Sequence, residues 1–599
     1  MKNFFFKKIL LLLPKKLYLN VFLIFILNLF GNILEVFGIG MLPILVLNIL
    51  NPSYLETFVS QYNLTLLQNL INRENSIVFL FSIVALFYLF KNLYLISIIY
   101  FQRKLGIQIV NHNRKLVFKN YLFCDYQTYI NKNPSTLIAL LNNEIPQSCA
   151  LIELSLLIAR ELLLLIFITI TIFFISAYAT IITLFVLALF LLIYYLFIFE
   201  ISKKRGKISL TSRVKNIKVV NESFDVIKEI KIYNKAKYFF NLFSDHIKLM
   251  EKQKLFNTVY SSIPKMALEI CLLLIIIIIV LINKFIFLNS IDLIPIITFI
   301  GASSIRIIPA FKLLASSINQ FSFSSSSLDI VTDELKNLTQ KIKIDTLNKK
   351  KLDNLNYKEE AKINFEESLK FKNVNFSYLN NKNHKIISEM SFEIKKGEKI
   401  GIVGPSGSGK STILNLITGL LNPTEGSILV DNKEIVNKFQ AWSKNIGYVP
   451  QDVNLFNTTL KNNIAFGVED SFVDIKNINK TIQVAQLDNF LKENNNDLNF
   501  LINTKSMNIS GGQKQRIGIA RAIYNNPKIL IFDEATNSLD FENEKKIIST
   551  LFSNKEITIF IVAHRVISLD KCDKLIYIVN GKLIEIGTFK LISEKYKLI

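Results

Sequence analysis

The sequence predicts two unlike folds in series, an α-helical membrane domain followed by an α/β domain. Three observations carry this. Of the 599 residues, 51% are hydrophobic, above the usual share for a soluble protein. Stretches near the 20 apolar residues needed to cross a bilayer recur through the first half. Short β-branched strands alternating with helical segments take over from about Leu369.

The N-terminal MKNFFFKKILLLLPKK imitates a secretory leader, but it runs into a long apolar span without a small-residue cleavage site. Residues 1–16 are therefore expected as an interfacial elbow helix that the protein keeps. Spans are expected at 17–48, 76–101, 152–176, 179–200, 266–283 and 287–312, within a membrane domain of 17–323. The connections alternate in charge: 51–75 carries only Glu56, Arg73 and Glu74, whereas 102–148 and 201–265 are rich in Lys and Arg. The positive-inside rule puts the N-terminus and both long connections on the cytoplasmic side. Apolar residues at helical spacing in those connections extend the helices beyond the bilayer.

The net charge of +23 raises the question of nucleic acid, but the cations cluster beside the spans, as in ISKKRGK, so no nucleic-acid partner is expected. Cys124, Cys149, Cys271 and Cys572 are scattered and carry neither a metal nor a disulfide spacing. A polar, lysine-rich stretch over 324–364 reads as a linker, and 365–599 as the α/β domain.

In that domain the strand EKIGIVG enters GPSGSGKST and then a helical TILNLITGL, the G-x-x-x-x-G-K-[ST] pattern of a P-loop ATPase. Gly404, Ser406, Gly407 and Gly409 let backbone N–H groups converge on phosphate oxygens. Lys410 reaches the β and γ phosphates, Ser411 can ligate Mg²⁺, and Thr412 opens the helix. Downstream, KILIFDEATNSLD places Asp533 and Glu534 at the carboxyl end of a buried strand, where open α/β sheets bind ligands. Asp533 is the Mg²⁺ partner through water, and Glu534 the group that polarises the attacking water.

Between these motifs lies NISGGQKQR, which resembles the signature of ATP-binding-cassette (ABC) proteins, with Ser510, Gly511, Gly512 and Gln513 in register. The remaining cassette elements follow in the family's order. Tyr378 resembles the aromatic that stacks on adenine, and Gln451 in YVPQD the Q-loop glutamine, a metal ligand with Ser411 and Asp533. Asp540 in NSLD resembles the D-loop aspartate, and His564 in IVAHR the switch histidine, catalytic with Glu534. In this family the signature completes the ATP site of the opposite cassette, so one P-loop and one signature per chain imply a pair of chains, here a homodimer. The sequence departs from the family at Ile509, where leucine is usual, and around Thr504, which stands where many exporters carry an acid.

Six spans fused ahead of one cassette resemble an exporter half-transporter, in which ATP closes the cassettes and intracellular arms transmit the closure. The stretches DYQTYINKNP and ESFDVIKEIKIYN stand where its coupling helices belong. Cations inside spans are costly and mark a cavity or a partner. Lys91, Lys265, Arg306 and Lys312 therefore predict a cavity for an anionic amphiphile, against internal pairing with Glu35, Glu153, Glu161 or Glu269 and a pairing of Arg160 with its neighbours. ILEVFGIGMLPIL, FYLFKNLY, IPKMALE and IRIIPA are similar to lipid-linked-oligosaccharide flippases of bacterial N-glycosylation. That resemblance implies a polyprenyl-pyrophosphate-linked saccharide as cargo. It also implies that the segment 52–72 forms an external helix. Export of another lipid, glycolipid, drug or peptide stays open, as does an ATP-gated channel or sensor.

Overall fold

The computed structural model describes residues 2–50, 76–282, 293–345, 362–378, 384–436, 438–503, 509–536, 538–562 and 569–596. It divides into two units, Met1–Cys124 with Asn131–Leu347, and Asp125–Ile130 with Asn348–Ile599. The expected external helix at 52–72 lies outside the described residues.

The first unit is helical. The elbow α1 (Lys2–Leu12) precedes α2 (Tyr18–Leu50), α3 (Ser76–Phe123), α4 (Ile145–Ile175), α5 (Ala177–Asp225), α6 (Ala236–Ile282) and α7 (Leu293–Asp345). Helices α3, α5, α6 and α7 have 48, 49, 47 and 53 residues. At 1.5 Å per residue each exceeds about 70 Å, more than twice a hydrocarbon core of about 30 Å, so each must leave the bilayer. By length and composition, α2 and α4 and the extended α3, α5 and α6 can cross a membrane. The start of the span expected at 287–312 lies outside the described residues, and α7 continues it.

Helix α7 packs on α4, α5 and α6, and α2 on α3 and α4. Leu164, Ile168, Leu268, Ile275 and Ala310 are buried in one interhelical core. Large apolar side chains such as Phe174, at 83% exposure, point outward, as a surface against lipid requires. Helices α5 and α7 meet closely at Gly206, where a Cβ would lie 1.9 Å from the Phe323 carbonyl oxygen; only glycine fits this crossing.

The expected linker boundary at 324 is corrected, because α7 runs on to Asp345. Its polarity misled. Ser324, Ser327, Leu328, Val331, Thr332 and Leu335 are buried, and Ser327 donates to buried Glu144 at 2.5 Å. A polar stretch can stay helical and inside when its hydroxyls find partners.

The second unit begins with β1 (Ser368–Phe376) and β2 (Ile387–Lys395), antiparallel with Phe371 opposite Phe392 and their rings stacked at 4.4 Å. With β4 (Glu425–Val430) and β5 (Lys433–Glu434) they form a four-stranded sheet. The second sheet has the order β10-β9-β3-β8-β7-β6. Its central strands β3 (Lys399–Val403), β8 (Thr558–Val562), β7 (Ile529–Asp533) and β6 (Ile446–Val449) run parallel. β9 (Lys574–Val579) is parallel to β3, and β10 (Lys582–Gly587) closes the edge antiparallel. Strands β3 and β8 are buried throughout, the pattern of parallel strands covered on both faces. Their carboxyl ends therefore open onto the site.

Candidate nucleotide site

The P-loop is built by β3, which turns into the helix Lys410–Ile417. The turn needs Gly409 at φ +101°, where a Cβ would lie 2.8 Å from the Ile387 side chain. Ser406 and Gly407 are exposed at the loop tip, while Ser408 and Thr412 are buried beneath it. Lys410 donates to the carbonyls of Gly404 at 2.9 Å and Pro405 at 3.0 Å, bent back over its own loop. Burial lowers its ammonium pKa, opposed by the charges of Glu534 and Asp533. The cation is thus held at the place where phosphate charge would compensate it.

Strand β7 brings Asp533 to the same edge, where Oδ1 accepts from Ser411 Oγ at 3.4 Å and Oδ2 from Tyr448 O–H at 3.0 Å. Burial raises the Asp533 pKa, and the neighbouring Glu534 charge adds to it; Tyr448, Ser411 and Lys410 act the other way. The Tyr448 hydroxyl is pushed above its ordinary value by burial and by the Asp533 charge. Glu534 sits in left-handed backbone at φ +53°, fixed by its N–H donating to Val562 carbonyl at 3.0 Å. Such a conformation is costly for a side chain other than glycine and is often found at functional sites. Its Oε2 accepts from Gln451 Nε2 at 2.9 Å. The sequence brought Lys410, Ser411, Gln451, Asp533 and Glu534 forward, and the fold gathers them. Tyr448 was missed; its signal is a polar aromatic in the strand IGYV, three residues before Gln451.

Tyr378 is half-buried, edge-on to Phe376 at 5.0 Å between ring centres. Ser510 caps the helix Gly511–Tyr524 through a reciprocal box: its Oγ accepts from Gln513 N–H at 3.2 Å and its N–H donates to Gln513 Oε1 at 2.9 Å. Gly511 and Gly512 form the first turn of that helix, and a Cβ on Gly512 would lie 3.1 Å from the Ser538 carbonyl. The helix N-terminus so exposed suits an anion. Asp540 caps Phe541–Phe552 and accepts from the Asn543 backbone and amide, which hold its carboxyl pKa below the ordinary value. His564 and Thr504 lie outside the described residues.

In the membrane domain the four expected cavity cations part ways. Arg306 forks onto Glu35, with Nε to Oε2 and a terminal nitrogen to Oε1, both at 2.6 Å. The internal-pairing alternative thus holds for Arg306, through an acid from another helix. Arg160 also reaches Glu35 at 3.2 Å and lies 3.9 Å from Glu161, as the pairing alternative held. Lys265 pairs along its own helix with Glu269 at 4.0 Å. Lys91 stands over the Tyr88 ring at 4.1 Å. Lys312 is exposed, without an ion pair among the described residues. A cavity of about 400 Å³ is lined by Arg306 with Arg103, Arg160, Glu35, Glu153 and Glu161, and by Leu95 and Leu313 among its apolar walls. Of the four expected cations, Arg306 alone lines it.

A P-loop sheet joined in one chain to long apolar helices defines an ATP-hydrolysing membrane exporter. The chain belongs to the ABC transporter family, as an exporter half-transporter with one membrane domain and one cassette. Residues 17–303 match the ABC transporter transmembrane region and 387–537 the ABC transporter cassette. It is 29% identical over 514 residues to a putative export ATP-binding/permease protein of Rickettsia typhi, covering 83% of this chain and 84% of that one. It is 37% identical over 222 residues to the ATP-dependent lipid A-core flippase of Pasteurella multocida, covering 37% of this chain and 38% of that one. A solved bacterial Atm1-family ABC exporter with ATP bound has the same fold, with a TM-score of 0.76 at 19% identity over 97% of both chains.

Proposed function

We propose that the chain works as a homodimer in a bacterial inner membrane and uses ATP to move an anionic amphiphile from the inner to the outer leaflet. The N-terminus and cassette are cytoplasmic in this reading. A polyprenyl-pyrophosphate-linked saccharide is the cargo favoured by the flippase-like stretches around Lys91, Lys265 and Arg306. One observation carries the substrate class: a cavity among the membrane helices lined by Arg103, Arg160 and Arg306, each paired with a glutamate of the same lining, and by leucine walls, with Arg306 partly exposed. Guanidiniums recognise phosphate oxygens in a fork, and apolar walls accept a lipid chain. The name of the lipid A-core flippase gives a related precedent for a lipid cargo.

Each cassette supplies half of two composite sites in this reading. Lys410 and the loop from Gly404 to Thr412 hold the phosphates of one nucleotide, Tyr378 its base, and Ser510 to Gln513 the γ-phosphate of the partner chain's nucleotide. Asp540 positions the region between the two sites. Ser411, Asp533 and Gln451 offer the hard oxygen donors that Mg²⁺ prefers, two of them already within 3.4 Å of each other. Bound Mg²⁺ would neutralise phosphate charge. Glu534 orients the attacking water, and His564 contacts the γ-phosphate. The test is a flipping assay in proteoliposomes with a fluorescent polyprenyl-pyrophosphate-linked saccharide. ATP-dependent appearance of the label in the outward leaflet supports the cargo, and ATP hydrolysis without any such movement rejects it.

A further inference from the structure

The four-membered charge cluster of Glu35, Arg160, Arg306 and Glu161 has more order than a simple neutralisation needs. Glu35 is 4% exposed and takes three charge-assisted hydrogen bonds, two from Arg306 at 2.6 Å and one from Arg160 at 3.2 Å. Arg160 is 8% exposed and Glu161 4%, so the Arg160 guanidinium is committed to carboxylates inside the helix bundle. Asn32, one turn earlier on α2, is buried and donates to the Arg160 carbonyl at 2.8 Å, which ties the two helices at this level. One wall of the cluster nevertheless opens into the 400 Å³ cavity. All four members line it, and Arg306 is the most exposed, with 30% of its side chain open against 5% for Glu35.

A planar carboxylate with two oxygens presents to a guanidinium the same acceptor edge as two oxygens of a phosphate. An incoming phosphate-bearing headgroup can therefore take the Arg306 fork without leaving buried donors unpaired, provided that Glu35 gives it up. Exchange keeps the number of charge-assisted bonds nearly constant, and this is the low-cost way to bind an anion where an empty guanidinium pair would be costly. It also supplies release, since the carboxylate is tethered beside the site and competes for the same fork. Lys91, over the Tyr88 ring, lies within electrostatic range of both Glu35 and Arg306, where an ammonium would offset a displaced carboxylate.

We infer that Glu35 is an internal counter-anion that occupies the Arg306–Arg160 guanidinium pair and is exchanged for the phosphate-bearing headgroup of a lipid cargo. The inference rests on the anionic-amphiphile reading above and names the residue that sets its affinity. Glu35 is thereby a specificity-determining residue, with no part in ATP chemistry.

The test measures binding of radiolabelled farnesyl pyrophosphate to the full-length protein in phosphatidylcholine nanodiscs. Glu35→Gln removes the competing charge and binds the probe about tenfold tighter than wild type, the scale of one hydrogen bond to a charged group. Arg306→Gln shifts binding in the opposite direction. Glu35→Asp, which keeps the charge but withdraws it by one methylene, tightens binding less than Glu35→Gln and decides the matter should that variant not fold. Sphingosylphosphorylcholine, whose phosphate carries its own cation, gains less than the farnesyl probe. Unchanged or weaker binding of farnesyl pyrophosphate by both Glu35 variants, with wild-type binding intact, overturns the exchange and spares the cargo reading. No binding by wild type or by any variant overturns both. Inorganic pyrophosphate binding to wild type as tightly as farnesyl pyrophosphate overturns the lipid assignment.

Discussion

Gln451 and Glu534, 83 residues apart, are joined by a hydrogen bond of 2.9 Å from the glutamine amide to the carboxylate. The bond fixes the direction of a side chain whose own backbone is held in a left-handed conformation. A base so placed can be neutralised without being moved.

Glu534→Gln is therefore expected to keep the site's shape, since its amide oxygen can still accept from Gln451, and to lose the charge that polarises water. ATP binding persists, and turnover falls by about 10²- to 10⁴-fold, the usual contribution of a positioned base. Equilibrium ATP binding and steady-state phosphate release measure the two. Wild-type turnover in this variant would remove Glu534 from its role.

Tyr448→Phe should shift the acid limb of ATP hydrolysis to higher pH. Burial raises the Asp533 pKa, and the Tyr448 hydroxyl, 3.0 Å from Oδ2, is the largest influence holding it down. Without that hydroxyl the carboxyl protonates at higher pH, so activity that needs the carboxylate disappears earlier on acidification. The sign for stability follows from the same shift. A buried acid with a raised pKa costs stability once it ionises, so the variant loses most above the raised value and least below the ordinary aspartate range. Rate profiles and thermal melts of wild type and variant on both sides of that window decide it. An unmoved acid limb would take Tyr448 out of the site.

The phosphate chemistry was legible because it is local. A glycine-rich turn between a strand and a helix must appear as consecutive residues, and Asp533 and Glu534 must follow their apolar strand directly. The membrane charges were not. Arg306 and Glu35 are 271 residues apart, and helix spacing searches only three or four positions along one helix. The continuation of α7 past residue 324 was hidden for a related reason: its serines look like linker until Glu144 and Gln147 supply the partners that let them be buried.

Trp442→Phe tests how the P-loop helix is held from behind. Trp442 is fully buried, and its indole N–H donates to the Ile417 carbonyl at 2.8 Å, at the end of the helix that Lys410 begins. Phenylalanine keeps most of the apolar volume but leaves that carbonyl unpaired, a cost of about 1–3 kcal/mol. The cassette melting transition, followed by circular dichroism, should fall by several degrees. An unchanged transition would show that the carbonyl finds another partner.

Composite sites make a sharper prediction about mixed dimers. If Ser510 serves the nucleotide held by the other chain's Lys410, then Ser510→Ala and Lys410→Ala homodimers each carry two damaged sites. Ser510→Ala also removes the hydroxyl half of its capping box, with a helix-stability loss of about 1 kcal/mol. Co-expression with two different affinity tags, followed by purification over both, yields dimers with one chain of each kind. In such a dimer one site combines an intact P-loop with an intact signature, and the other combines both defects. Hydrolysis per mixed dimer should therefore rise well above that of either variant alone and approach half the wild-type rate where the sites fire independently. Were each site built within one chain, every site in the mixed dimer would carry a defect and the rate would equal the mean of the two variants. That outcome would refute the shared nucleotide site and the paired-chain mechanism with it.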